Sequence, residues 1–231
     1  MMDKEINSLD RALILMTRVP KAGATKTRLM PELNGEECVA FHEACLMDLV
    51  DNMISKIEAA IYIFYTGELT EEFVHLFPKE VKLIPQSGAD LGERMAEAFC
   101  QTLQVHECAV MIGSDIPNLD KNDLEKAFIS LENGEDLVFG PALDGGYYLI
   151  GMHSFHPELF TRITWGGEQV LNQTLERVER KGLTYHLLRN IQDIDTFEDL
   201  CEYVKNEEHS SNYAYQVTCQ VLSRYQYLHK R

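Results

Sequence analysis

The chain has 231 residues, an apolar share of 45% and a formal net charge of −16. That length suits one large domain or two small ones with a sizeable core. The acidity, without any basic block, argues against a nucleic-acid polymer, whose binding rests on neutralised phosphates. No stretch of about 18 apolar residues is present to span a membrane. Met1–Arg11 is polar and lacks an apolar signal core, so a cytoplasmic protein is expected. The cysteines at 38, 45, 100, 108, 201 and 219 show neither C-x-x-C nor zinc spacing. They read as reduced, mostly buried small hydrophobes.

Ala12–Met16 reads as the first strand. The loop R-V-P-K-A-G-A-T-K-T-R-L over 18–29 follows it, gathering Arg18, Lys21, Lys26 and Arg28 in an acidic chain. A glycine, here Gly23, lets backbone approach a phosphate, and Lys and Arg neutralise it. The spacing is not that of a Walker loop. A solvated basic loop is the plainer reading, but the position directly after a strand favours function. Glu36–Ile57 has the periodicity of a long amphipathic helix, with His42 and Cys45 as packing residues. Ala60–Tyr65 and Val81–Pro85 read as the second and third strands. Next, Q-S-G-A-D-L-G-E-R-M-A-E-A-F at 86–99 is a loop carrying Gly88 that enters a helix at about Leu91. That helix start offers N–H groups to an anion or a base edge. Arg94 serves either the surface or a phosphate.

The centre of the chain is Val110–Leu119, V-M-I-G-S-D-I-P-N-L. Ala109–Ile112 is an apolar run short enough for a buried strand, Gly113 and Ser114 remove bulk, and Pro117 forbids further pairing. Asp115 is thus delivered at a strand's carboxyl end, where open α/β sheets bind ligands. One such carboxylate is what Mg²⁺ or Mn²⁺ carrying a nucleotide diphosphate needs; capping of the next turn is the alternative. A helix from about Lys121 to Leu131 follows, with Asp120 as its cap, and then a strand over Asp136–Phe139. G-P-A-L-D-G-G-Y-Y-L-I-G at 140–151 reads as a hairpin turn with a strand resuming at Tyr147–Ile150. Its functional reading is a floor under a sugar or acceptor, with Asp144 taking hydroxyls.

Pro157–Ile163 suits a short helix. Trp165-Gly166-Gly167 is a flexible aromatic loop, fitting a lid or ordinary packing, before a helix over Glu168–Arg180 closed by Gly182. Leu183–Leu188 is a late strand leading to Q-D-I-D-T-F-E-D-L at 192–200. Thr196 and Asp199 there approximate a capping box, which leaves Asp193 and Asp195 unexplained. Residues 210–229 form a Tyr-rich helical tail, with Tyr213, Val217, Val221, Tyr225 and Leu228 on one stripe. The tail packs on the domain or contacts a second subunit as a homodimer. With no repeat or linker, residues 1–231 form one domain with a helical tail from about 208.

Strands alternating with helices give an α/β sandwich. The motifs at 18–29, 91–99, 111–119, 140–151 and 193–200, in this order, resemble a bacterial family of GT-A-type glycosyltransferases related to those of arsenosugar biosynthesis. That family is similar in turn to the 2-phospholactate and molybdenum-cofactor guanylyltransferases. The resemblance covers roughly residues 11–200. It implies a nucleotide-diphospho-sugar transferase fold: a three-layer α/β/α sandwich with a mixed, mostly parallel sheet. It implies that the 18–29 loop wraps nucleotide phosphates, Lys26 and Arg28 nearest, and that Asp115 holds Mg²⁺ or Mn²⁺. Gly-Ser-Asp stands where a full Asp-x-Asp would supply two carboxylates, so a second ligand must come from elsewhere. Similarity to the guanylyltransferases points to Asp193 or Asp195, with Asp144 behind.

Three functions follow. In glycosyl transfer from a nucleoside diphosphate sugar to a small acceptor, the metal at Asp115 stabilises the leaving diphosphate. Arg18, Gly23, Lys26, Arg28, Gly88, Arg94 and Ser114 then form the nucleotide side. Asp144, Gly145, Gly146, Tyr147 and Trp165 form the sugar and acceptor side, and an inverting enzyme would use Asp144 or Glu168 as base. In nucleotidyl transfer, pyrophosphate leaves against Lys26 and Arg28. The third is a nucleotide-binding protein without turnover.

Overall fold

The computed structural model describes residues 10–228, with side chains described through Arg224. Residues 1–9 of the polar N-terminus, and Tyr225 and Leu228 of the tail stripe, lie outside those descriptions. The strands are β1 (Arg11–Arg18), β2 (Ala60–Thr66), β3 (Lys82–Pro85), β4 (Cys108–Gly113), β5 (Leu137–Pro141), β6 (Tyr147–Met152) and β7 (Tyr185–Leu187). The helices are α1 (Gly35–Leu49), α2 (Glu71–His75), α3 (Leu91–Thr102), α4 (Lys121–Glu132), α5 (Val170–Lys181), α6 (Phe197–Tyr203) and α7 (Tyr213–Leu228). One sheet runs β3-β2-β1-β4-β6-β5-β7. Only β6 is antiparallel to its neighbours β4 and β5.

β1 and β4 are continuous apolar runs because both of their faces are covered. Leu13, Leu15, Val110 and Ile112 point into one core with α1, α2 and α4. Ala12, Ile14, Ala109 and Met111 point into the opposite core with α3 and α5. The mixed three-layer sandwich expected from the sequence is therefore present. After β1 the chain builds outward through β2 to β3, then α3 carries it back past β1 to β4. Strand order reverses between β1 and β4, and their carboxyl ends, at Arg18 and Gly113, open the crevice where such sheets bind ligands.

Local departures have local causes. The helix expected to reach Ile57 is α-helical only to Leu49 and widens into a π turn over Val50–Ile54. The wider turn seats Met53, Ile54 and Ile57 all in the core. α2 was not expected; it is too short for periodicity to reveal, and rests on Thr70 capping Phe73 N and on buried Phe73. Asp144-Gly145 does turn the chain between β5 and β6, with a register shift at Gly140/Pro141. Thr196 and Asp199 form a reciprocal capping box, as do Asn34 and Glu37 on α1.

α7 packs on α1 of its own chain, as one of the two expectations for the tail has it. Ala214 and Val221 join Cys38, Phe41 and Cys45 in a third core cluster. Asp48, 3% exposed on α1, accepts hydrogen bonds from Tyr213 N at 2.8 Å and Ala214 N at 2.9 Å. A buried carboxylate thus satisfies the first N–H groups of a distant helix. No described helix is long and apolar enough to cross a membrane. Asp48→Ala is expected to destabilise the fold by about 1–2 kcal/mol in urea unfolding, because two buried donors lose their acceptor.

Candidate active site

Three loops converge on the crevice. The first, after β1, folds on itself: Lys21 N donates to Thr25 Oγ1 at 2.9 Å and Arg18 Nη1 to Ala24 O at 2.5 Å. This turn sets Lys26 in the left-handed region, at φ 51°, a conformation a side chain rarely adopts without being held. What holds it is an ion-pair hub. Lys26 Nζ, on a side chain 4% exposed, lies 3.2 Å from Asp115 Oδ1 and 3.1 Å from Asp195 Oδ1. It also donates to the carbonyl of Ile194. The second loop, just past β4, supplies Asp115. The third supplies Asp193 and Asp195, and Ile194 N donating to Asp115 O at 3.1 Å ties it to the second.

The electrostatics follow from this hub. Crowding by protein atoms pushes the Asp115 carboxyl upward, but Lys26 and then His42 outweigh it and hold it well below the usual carboxylate range. Burial pulls Lys26 down, and Asp115 and Asp195 more than restore it. His42 is 3% exposed; its Nε2 donates to Arg18 O at 3.3 Å and its Nδ1 faces Asp115 Oδ1 at 3.6 Å. His42, read from sequence as packing, is buried directly behind the carboxylate.

The crevice divides into two lobes that share Leu91, Gly113 and Asp115. One, of about 380 Å³, is bounded by Arg18, Lys26, His42, Gln86, Arg94 and Ser114. Gln86 Nε2 donates to Thr17 O and Phe64 O, fastening the ends of β1 and β2 at its floor. The other, of about 280 Å³, is bounded by Asp144, Gly146, Tyr147, Tyr148, Trp165 and Asp193. Gly113 has no atom within 4 Å of where a Cβ would stand and no positive φ. Its missing side chain leaves space in the passage between the lobes. Trp165 reaches the wall because Gly92 is bare; a Cβ there would come within 2.6 Å of the indole Nε1. Gly145, at φ 89°, lets its turn lie under the backbone of Glu168, and Leu171 N donates to Gly145 O at 3.0 Å.

Most residues proposed from sequence are brought together here. Arg18, Lys26, Arg94 and Ser114 border the basic lobe, and Asp144, Gly146, Tyr147, Trp165 and Asp193 the acidic one, with Asp115 between. Gly88 adjoins through its carbonyl, which accepts from Arg94 Nε at 3.0 Å. Arg28 instead turns outward, 66% exposed, onto Asp195. Gly23, Gly145 and Glu168 do not line either lobe; Gly145 and the backbone of Glu168 pack together behind it, and the Glu168 residue is exposed. Gln86 and Leu91 lie within the 86–99 motif but were not singled out from it, and Thr17 carried no motif; their place at strand ends and a helix start marks them.

Among the described residues no group of three or more His, Cys, Asp or Glu stands ready to hold a metal ion alone. The donors do suit a cation shared with phosphates, which takes one or two protein carboxylates. Asp193 is pushed up to about 6, first by burial and then by Asp144 and Asp195. That is the behaviour of a carboxylate short of a counter-cation.

The family described as "uncharacterized protein conserved in bacteria (DUF2064)" matches residues 49–167, just over half of the chain. No curated protein matches. Among solved structures, a protein from Desulfovibrio desulfuricans G20, provisionally described as a nucleotide-diphospho-sugar transferase, aligns with a TM-score of 0.86 at 28% identity, covering 94% of this chain and 98% of that one. A cytidylyltransferase from Leptospira borgpetersenii serovar Hardjo-bovis strain JB197 aligns at 0.55 and 14% identity, over 94% and 95%. The 4-diphosphocytidyl-2C-methyl-D-erythritol synthase of Anaerococcus prevotii DSM 20548 aligns at 0.55 and 12%, over 87% and 98%. The last two share the fold. The likeness to the first, over nearly the whole of both chains, supports an enzyme of the transferase kind.

Asp193 yields a stability test. Its folded value of about 6 exceeds the ordinary aspartate value of about 3.9. The folded state therefore binds the extra proton between them, and stability falls as pH rises through that window. Asp193→Asn is expected to unfold at higher urea than the native chain at pH 7 and to lose that advantage below about pH 4.

Proposed function

The chain belongs to the bacterial family DUF2064, and on that premise we propose that it moves a sugar from a nucleoside diphosphate sugar to a small acceptor, aided by a divalent cation. The division of the cleft around Asp115 into a basic and an acidic, aromatic lobe carries this reading. A nucleoside diphosphate sugar has the same division, with anionic phosphates at one end and a polyhydroxy ring at the other. Arg18 and Arg94 border the basic lobe without a carboxylate partner among the described residues, so their charge is open to phosphate oxygens. Trp165 and Tyr147, edge to face at 6.5 Å, offer apolar surface to a sugar, and Asp144 accepts its hydroxyls. The sequence resemblance to arsenosugar-related glycosyltransferases supports the same choice.

Mg²⁺ or Mn²⁺, when bound, would be held by Asp115 with a second carboxylate and would stabilise charge on the leaving diphosphate. Asp193 suits that second place better than Asp195, whose two oxygens already meet Lys26 and Arg28. Asp144 stands as the base for the acceptor hydroxyl in an inverting reaction; exposed Glu168 does not border the lobe. Nucleotidyl transfer is the second reading, favoured by the larger basic lobe. Outward-turned Arg28 leaves one cation fewer for departing pyrophosphate, which supports the first.

Trp165, the chain's only tryptophan, gives the test. In a fluorescence titration of nucleotides with and without Mg²⁺ or Mn²⁺, a nucleoside diphosphate sugar should change the emission, metal-dependently, more than its parent diphosphate does. Gly113→Leu, whose side chain would enter the passage, should weaken that binding by about tenfold or more while stability stays within about 1 kcal/mol. Asp115→Ala should remove the metal dependence. A response mainly to triphosphates would favour nucleotidyl transfer, and silence across the panel a protein without turnover.

A further inference from the structure

In a chain with 37 acidic and 21 basic residues, an arginine without a carboxylate is out of balance. Arg11, Arg28, Arg189 and Arg224 each meet Asp or Glu. Arg18, Arg94, Arg162, Arg177 and Arg180 meet none among the described residues. These five fall into two places. Arg18 and Arg94 border the basic lobe of the cleft. Arg162, Arg177 and Arg180 border a separate cavity of about 480 Å³, between α5 and the segment after β6, together with Lys181, Glu158 and Thr161.

The second cavity is built from the backbone outward. Arg177 Nη2 donates to Thr161 O at 3.0 Å and to Arg162 O at 2.8 Å, and its Nη1 to Gln173 O, so its guanidinium anchors the loop through carbonyls and meets no carboxylate among the described residues. Arg180 Nε donates to its own helix at Glu176 O. Arg162 is one of two non-glycine residues at positive φ among the described residues, at 54°, and its side chain has no partner there. Lys181 is neutralised by Glu158 at 3.2 Å. Arg162, Arg177 and Arg180 thus border one cavity whose lining carboxylate, Glu158, already meets Lys181 and faces His156. Like charges gathered at one cavity favour an anion among them, and guanidinium forks match phosphate oxygens.

We infer that this cavity is a second anion site, separate from the cleft, for a phosphate group held by Arg162, Arg177 and Arg180. The group is free phosphate or the phosphate of a small phosphomonoester, and the two sources share the same recognition chemistry. Titration calorimetry of the full chain at fixed ionic strength, with inorganic phosphate and with glycerol phosphate, tests the site.

Binding should persist in Arg18→Ala/Arg94→Ala, where the cleft lobe is disabled. It should weaken by about tenfold or more when Arg162→Gly/Arg180→Gln is added. Glycine is favoured at the φ of Arg162, so that substitution removes a guanidinium without straining the loop. Arg180→Gln alone, giving a smaller loss, covers a poorly folded combination. Tighter binding of one probe names the source. Phosphate binding abolished by the Arg18/Arg94 pair and indifferent to the Arg162/Arg180 pair would overturn the inference, as would no binding to the native chain at millimolar phosphate. Absence of binding at the second cavity leaves the reading of the cleft untouched.

Discussion

One buried ammonium organises the site. Lys26 Nζ joins the loop after β1, the end of β4 and the loop before α6 through Asp115, Ile194 and Asp195. An ammonium in that position is tolerable only when paired, so the pairing couples the three loops. The pairing also sets the left-handed turn at Lys26 and keeps Asp115 ionised. A phosphate offers the ammonium the same charge as a carboxylate. Lys26 is therefore suited to a phosphate as well as to the carboxylates it meets.

The rest of the fold supplies rigidity. β1 and β4 are covered on both faces, and Ala12, Leu13, Ile14 and Leu15 are fully buried. Their carboxyl ends are fixed points from which short loops carry the chemistry. Glycines then decide what fits. Gly113 leaves the passage open, Gly92 admits Trp165, and Gly145 admits the backbone of Glu168. Each acts through missing volume at a close approach.

Much of this was legible in the sequence. Apolar runs fixed by two-sided burial, a carboxylate at the end of Ala109–Ile112, and basic residues crowded after the first strand all reported directly on the cleft. What escaped was what depends on distant packing. His42 looks like any helix residue until Asp115 lies 3.6 Å from its ring. Gln86 opens the 86–99 motif, but its role comes from two strand ends meeting. Arg28 and Glu168 were placed on the site by adjacency in sequence, but one turns outward to Asp195 and the other lends only its backbone. Side-chain direction in a loop is set by partners that local pattern does not contain.

Charge accounting reaches further than motif reading here. An acidic chain has carboxylates enough for every guanidinium, so an arginine left with only carbonyls reflects placement by the fold. By that measure the cleft marks itself twice: by Arg18 and Arg94 without carboxylates, and by Asp193, whose raised value shows a carboxylate without a cation. The two imbalances are opposite in sign and lie on either side of Asp115. A ligand with phosphates at one end and a bound cation near the carboxylates would cancel both at once. An apolar ligand would cancel neither, which is why the cleft's chemistry is better read from its unmet charges than from its shape.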